Sequence, residues 1–248
     1  GLLVSLPLFS DYLIQGHDLS FHLLRIEGIK EALLSGQFPV RIHPVQFEGY
    51  GYATGVYYPE LFLYLPALMR LLNFRVMDAY KFFLFLLNMT TAGISYFSFK
   101  KMCNSPKAGL CGSALYTLSL YRMINVYYRS ALGESIAMAF IPLVFLGIYE
   151  ILVSNKEDRV IRRQGMLSLT VGLTGILQSH ILSCEMIGIV CAFLAVIYLK
   201  KIMKQGRWLN FITCGAFTLL LNLWFLVPFL MSMRENIMVK ASAGDIAG

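Results

Sequence analysis

Long apolar runs separated by short basic clusters constrain this chain more than any other feature. A helix needs roughly 20 predominantly apolar residues to cross a bilayer, and such runs are readable at 78–99, 108–128, 135–153, 165–182, 184–200 and 208–230. A chain that enters lipid must satisfy its backbone internally, as helices or as a closed barrel. The runs here are continuous rather than alternating, which excludes a barrel. Composition agrees: 57% of residues are hydrophobic and only 14% charged, where a soluble domain carries about a quarter charged. The expected fold is all-α, a polytopic transmembrane bundle read as one domain over residues 1–248. The apolar segment from Gly1 to about Leu13 is too short to span and reads as the outer end of a first, truncated helix, for about seven spans. It has neither the basic front nor the small-residue cleavage site of a signal peptide.

Sidedness follows from the loops. Lys100, Lys101 and Lys107, then Lys156, Arg159, Arg162 and Arg163, then Lys200, Lys201, Lys204 and Arg207 contribute eleven of the 21 basic residues. These three clusters belong on the cytoplasmic side and read as solvated anchors. The expectation then places the first loop, 14–77, and the tail, 231–248, outside. The segment "VYYPELFLYLPALMRLL" (56–72) is apolar, but a crossing there would invert every later loop. It reads as a helix on the outer membrane surface or tucked against the bundle. The net charge of +7 sits in loops rather than in a stripe with interleaved aromatics, so no nucleic-acid partner is expected. The five cysteines form no CxxC pair and read as small apolar fillers.

Chemistry concentrates in the outer loops. In "GHDLSFHLLR", His17 precedes Asp18, His22 and Arg25, and the last three follow i, i+4, i+7, one flank of a helix expected over 19–34. Leu19, Leu23, Ile26, Ile29, Leu33 and Leu34 form its apolar side. Gly36 closes it, and Phe38-Pro39 prevents its continuation. Asp18 serves either as an N-cap or as a presented carboxylate; the two roles are compatible. Downstream come Arg41, His43 and Glu48 among Tyr50, Tyr52, Tyr57 and Tyr58, which suit a pocket or an interfacial aromatic belt equally. In "YYRSALGES", Arg129 stands just before Glu134, which either complements a helix N-terminus or supplies a second reactive carboxylate. His180 and Glu185 bracket the next outer turn, and Arg122 is expected close to the outer surface, snorkelling.

These stretches are recognisable. "GHDLSFHLLRIEGIKEALLSGQFPVR" resembles the first outer loop of the GT-C membrane glycosyltransferases. "GYGYATGVYYPELFLYLPAL" and "YRMINVYYRSALGESIAMAFIPL" resemble a bacterial branch catalogued as 6-pyruvoyl-tetrahydropterin synthase-related membrane proteins, a label that misleads about chemistry. Beyond Pro142 the likeness rests on topology and "LQSHILS". The resemblance implies an enzyme in the bacterial cytoplasmic membrane with its active site outside. It would move a sugar from a polyprenyl-phosphate carrier to a glycan or lipid acceptor. Asp18 and Glu134 would be catalytic, and His17, His22, Arg25, Arg41, His43, Arg129 and His180 would bind substrate and phosphate. A divalent cation (Mg or Mn) would sit on Asp18 and Glu134 if one is used. Two departures stand out: Pro59-Glu60 replaces two prolines, and the first loop holds no DxD. A transporter or flippase of lipid-linked glycans, and a non-catalytic assembly subunit, are the alternatives.

Overall fold

The computed structural model describes residues 1–153 and 158–234. Lys156 of the second basic cluster and residues 235–248 of the expected outer tail lie outside the described residues. The architecture is helical throughout, apart from one isolated antiparallel bridge between His43 and Tyr52. In chain order the helices are α1 (Leu2–Ser5), α2 (Leu19–Leu34), α3 (Thr54–Tyr57), α4 (Tyr64–Leu71), α5 (Val76–Cys103), α6 (Pro106–Thr117), α7 (Leu120–Met123), α8 (Leu132–Val153), α9 (Arg159–Leu177), α10 (Ile181–Ile197), α11 (Leu199–Met203) and α12 (Arg207–Arg234).

Among the described residues, α5, α8 and α12 are long and apolar enough to cross a membrane. The other expected spans differ for physical reasons. The run 108–128 is broken: α6 ends at Thr117, α7 begins at Leu120, and a π-helical segment, Ile124–Arg129, follows. Arg159, Arg162 and Arg163 occupy the first turns of α9, and α10 has only 17 residues. Before residue 13, α1 and a 3₁₀ turn (Leu6–Phe9) supply only short helical pieces. The segment 56–72 is likewise divided. Its second half, α4, packs on α2 and α5, and Arg70 forks onto Glu27 of α2.

Helix α2 has the bounds expected for it, with Asp18 as N-cap and Gly36 at φ +83° behind its end. Its surroundings are not those of an interfacial helix. Leu19, Ile26 and Ile29 are buried as the apolar periodicity requires, but so are His22 and Arg25 on the polar flank, while Leu34 is exposed. Helix α2 is thus enclosed on two sides by the loop and the bundle. Arg122 also departs from expectation. It is fully buried and donates to Asn88 Oδ1 at 2.7 Å and Thr91 Oγ1 at 3.2 Å of α5. A guanidinium inside apolar packing is tolerable only where polar partners reach it, and α5 supplies them. Of the five cysteines, Cys214 is buried as a filler would be, whereas Cys103 and Cys111 are exposed.

The bundle is held most closely where α8 meets α9. Close helix approach in lipid relies on small residues, because burial of apolar surface offers little driving force there. Gly147 of α8 faces the α9 backbone so tightly that a Cβ would lie 2.5 Å from Leu169 N and 2.7 Å from Gly165 O. A Cβ on Gly93, in mid-α5, would meet nothing within 4 Å. Gly147→Ala should therefore lower unfolding stability by about 1–3 kcal/mol, the scale of overpacking. Gly93→Ala should be neutral or stabilising by about 0.4–1 kcal/mol. Parallel unfolding titrations in mixed micelles check the pair, and equal effects would contradict the packing.

Candidate functional site

The bundle has two chemically distinct ends. At one, Lys101 of α5 donates to Glu150 Oε1 of α8 at 3.0 Å and to Gln164 of α9 at 2.7 Å. Glu134 lies sixteen residues before Glu150 on the same helix, about 24 Å away at 1.5 Å per residue. Around Glu134 the N-terminus of α8, the π-helical segment, the N-terminus of α10 and the outer-loop residues come together.

The outer loop is organised by a buried carboxylate. Glu60, 3% exposed, accepts from Arg25 Nε at 3.3 Å and lies 3.0 and 3.2 Å from His43 Nε2. Gln46 Nε2 approaches His43 Nδ1 at 3.3 Å, a pattern that places the ring proton on Nε2, donating to Glu60. Arg25 also donates to Pro59 O at 2.7 Å, and its guanidinium lies 4.1 Å from the Tyr58 ring centroid. Burial pulls the guanidinium below its usual pKa, and Glu60 opposes that shift. Arg25 and His43 therefore work within the loop, whereas Arg41 ties the loop to α12, donating to Trp224 O and packing over the Trp224 ring.

His22 joins this loop to the bundle. The backbone N–H of Leu132, at the start of α8, donates to His22 Nε2 at 3.3 Å, while Arg25 Nη1 lies 3.4 Å from Nδ1. Donors flank both ring nitrogens, so protonation has no acceptor to favour it. Burial, reinforced by Arg25 and His180, pushes its pKa down to about 3.

On the exposed side of this core stands the second carboxylate. Glu134 accepts from Tyr121 Oη, from Asn125 Nδ2 at 2.9 Å and from Arg129 Nη1 at 3.1 Å. Asn125 and Arg129 face it because the π-helical segment widens the backbone before Ser130 turns left-handed at φ +56°; such insertions often re-aim side chains at functional sites. Arg129 ties in Asp18 as well, since Asp18 N–H donates to Arg129 O at 3.0 Å. The Asp18 side chain makes no capping bond to α2, which leaves the carboxylate to be presented. His17 packs edge-on against Tyr128 at 5.4 Å.

Tyr58 lies between the groups. Its ring is 6.4 Å from His22 and 6.1 Å from His180, and its hydroxyl lies so close to Gly133 that a Cβ there would collide with it. Burial raises the Tyr58 pKa, Arg25 opposes the rise, and both Asp18 and Glu134 add to it. Its hydroxyl therefore feels both carboxylates. His180 caps α10 through Ser183 N at 3.3 Å. Its pKa is lowered by burial and by Arg129 and supported by Glu134. Tyr57, Tyr58, Pro59, His180, Ile181 and Leu182 line a cavity of about 220 Å³. Glu185, exposed on α10, does not line it.

The candidates thus separate into two groups. His180 lines the cavity, Asp18, Arg129 and Glu134 are linked beside it through Arg129, and His22, Arg25 and His43 are buried behind them. Sequence reasoning missed Glu60, Tyr58, Asn125 and Tyr121 as functional positions. Glu60 carried a usable signal: an acid inside an apolar run must find a partner when buried. No group of three His, Cys, Asp or Glu side chains suited to a metal occurs among the described residues, and Glu134 is already neutralised by Arg129.

Residues 56–243 match the model of the 6-pyruvoyl-tetrahydropterin synthase related domain, described as a membrane protein. The chain belongs to this family. A curated relative, an uncharacterized protein from Lactococcus lactis subsp. cremoris (strain MG1363), is 25% identical over 248 residues. That alignment covers 95% of the chain and 39% of the relative, so the chain spans about two-fifths of that protein's length. No solved structure matches. The family match takes in Tyr58, Glu60, Arg129, Glu134 and His180, whereas Asp18, His22, Arg25, Arg41 and His43 precede it.

His22 generates a pH test. Its pKa falls from 6.5 in the unfolded chain to about 3 in the fold. Below pH 6.5 the unfolded state takes up a proton that the folded state refuses. Its stabilising contribution is complete above pH 6.5 and disappears as pH falls toward 3. Between those limits the slope should approach about 1.4 kcal/mol per pH unit. His22→Gln should flatten the stability profile between pH 4 and 6, measured by unfolding at each pH. In the same assay at pH 7, Glu60→Ala should cost about 3–5 kcal/mol, because it leaves Arg25 charged and unpaired in the interior.

Proposed function

We propose that this protein is a membrane glycosyltransferase of the GT-C type, taking a sugar from a polyprenyl-phosphate carrier at the extracytoplasmic face. The acceptor would be an envelope polymer or lipid. What supports the reading is that Asp18 and Glu134, from distant parts of the chain, are linked through Arg129 at one end of the bundle. Asp18 is bonded through its backbone to Arg129, Arg129 holds Glu134, and both acids act on Tyr58. The basic clusters of the other end favour the cytoplasm, which leaves this end for the outer leaflet. The reading keeps the topology of about seven spans, one domain and a long outer loop over 14–77, with α6–α7, α9 and α10 counted beside the three longest helices.

The chemistry assigns unequal roles. Glu134 is saturated by three donors and is a poor proton acceptor as it stands; it holds Arg129 in place. Asp18 is the group able to act as base. The acceptor hydroxyl attacks the anomeric carbon while Asp18 takes its proton. The bond from that carbon to the phosphate oxygen breaks, and the electron pair leaves with the lipid phosphate. Arg129 and His180 would stabilise the charge gathering there. Attack opposite the leaving phosphate inverts the anomeric centre.

One observation favours the transport alternative: Arg122 of α7, buried against Asn88 and Thr91 at mid-length of α5, pairs there with neutral groups, and charge within a bundle often marks a path. Asp18→Asn separates the readings. Sugar transfer from a polyprenyl-phosphate donor should fall by about 10²-fold or more, with folding and membrane insertion intact. Unchanged transfer removes Asp18 from the mechanism. Lipid-linked glycan crossing liposomes without any transfer would favour transport.

A further inference from the structure

The basic end carries a recess that the reaction does not use. It measures about 430 Å³ and lies among α8, α9, α10 and α12, with Leu173, Cys191, Ala195, Trp208, Phe211 and Gly215 in its wall. Its existence follows from loose packing: only Ile187 of α10 is buried, so α10 does not close against its neighbours. Gly215 opens the floor, since a Cβ built there meets nothing within 4 Å. The turn of chain from α10 through α11 into α12 forms one mouth, with Ile202 and Trp208 in the wall. Lys200, Lys201 and Lys204 stand exposed around them. Arg207 is instead turned inward, donating to Lys201 O at 3.2 Å.

We propose that this recess binds one anionic phospholipid, its acyl chain lying along Gly215 and its phosphate held by Lys200, Lys201 and Lys204. Charge complementarity selects the occupant. An apolar slot alone takes any acyl chain, but a lysine cluster at its mouth selects a negative headgroup. A lysine near an anionic headgroup is worth about fivefold in binding. The site stands apart from the carboxylate end and does not depend on the glycosyltransferase reading.

The test uses the full-length protein, delipidated in mild detergent and titrated by native mass spectrometry. The probes are phosphatidylglycerol and phosphatidylcholine with identical chains. Wild type should prefer phosphatidylglycerol by about fivefold or more. Gly215→Leu should weaken both lipids about tenfold by excluding roughly two methylenes of acyl chain. Lys200→Gln, Lys201→Gln and Lys204→Gln together should abolish the preference and leave phosphatidylcholine binding unchanged. This triple variant changes only exposed side chains and decides the matter should Gly215→Leu misfold. Equal affinity of wild type for the two lipids overturns the proposal, as does a preference that survives the lysine changes. Displacement of phosphatidylglycerol by millimolar inorganic phosphate would overturn it too, reducing the site to an anion contact. A second copy or another segment of the chain cross-linked to a cysteine placed at Gly215 does the same.

Discussion

The burial of Glu60 between Arg25 and His43 is the constraint from which the outer end of the molecule is built. A carboxylate so far from water is tolerated only with cationic and hydrogen-bonding partners in good geometry, and those partners reach the segment leading into α4 from two other stretches, α2 and the loop before α3. Their pairing turns a loop rich in glycine and tyrosine into a rigid floor. Tyr58 lies over Arg25 as part of that floor. The apolar contacts of Leu19, Ile26, Ile29, Leu63 and Ala67 add adhesion, but they do not specify the register in which α2 meets α4; the ion pairs do.

The floor is then joined to the bundle at few points. His22 receives the Leu132 N–H, an orphan donor at the helix start that would otherwise need water. Asp18 is placed by the Arg129 carbonyl, at the end of a π-helical segment whose extra width turns Asn125 and Arg129 toward Glu134. The result is a division of labour between residues of the same type. Glu60 is structural, Glu134 is an electrostatic anchor, and Asp18 keeps its carboxylate uncommitted. Burial and partners, not residue identity, separate the three acids.

Much of the fold was legible beforehand. The limits of α2 followed from Asp18, from the apolar spacing and from Gly36, all local signals. The division of 56–72 into short helical pieces agrees with its prolines and its acid. Arg122 was misjudged because snorkelling assumes a helix end free to reach water, whereas Asn88 and Thr91 drew the guanidinium inward. The polar flank of α2 was read as one face with its surroundings left open between the membrane interface and the bundle, since spacing says which residues share a side and nothing about what covers it. About seven spans, the first truncated, were expected from hydropathy, yet the run 108–128 breaks at Leu118–Ser119 and resumes as α7 and a π-helical turn.

Sequence alone determined the class of the molecule: apolar length requires helices in lipid, and the spacing of lysines and arginines sets apart a basic end. It also singled out Asp18, Arg129, Glu134 and His180, because charged groups are scarce in such a chain. Only the tertiary structure decided which of the polar residues face a cavity and which support it. That decision rests on contacts between stretches far apart in the chain, such as His22 with Leu132 and Arg41 with Trp224. Periodicity reports the geometry of a single helix and carries no information about its neighbour.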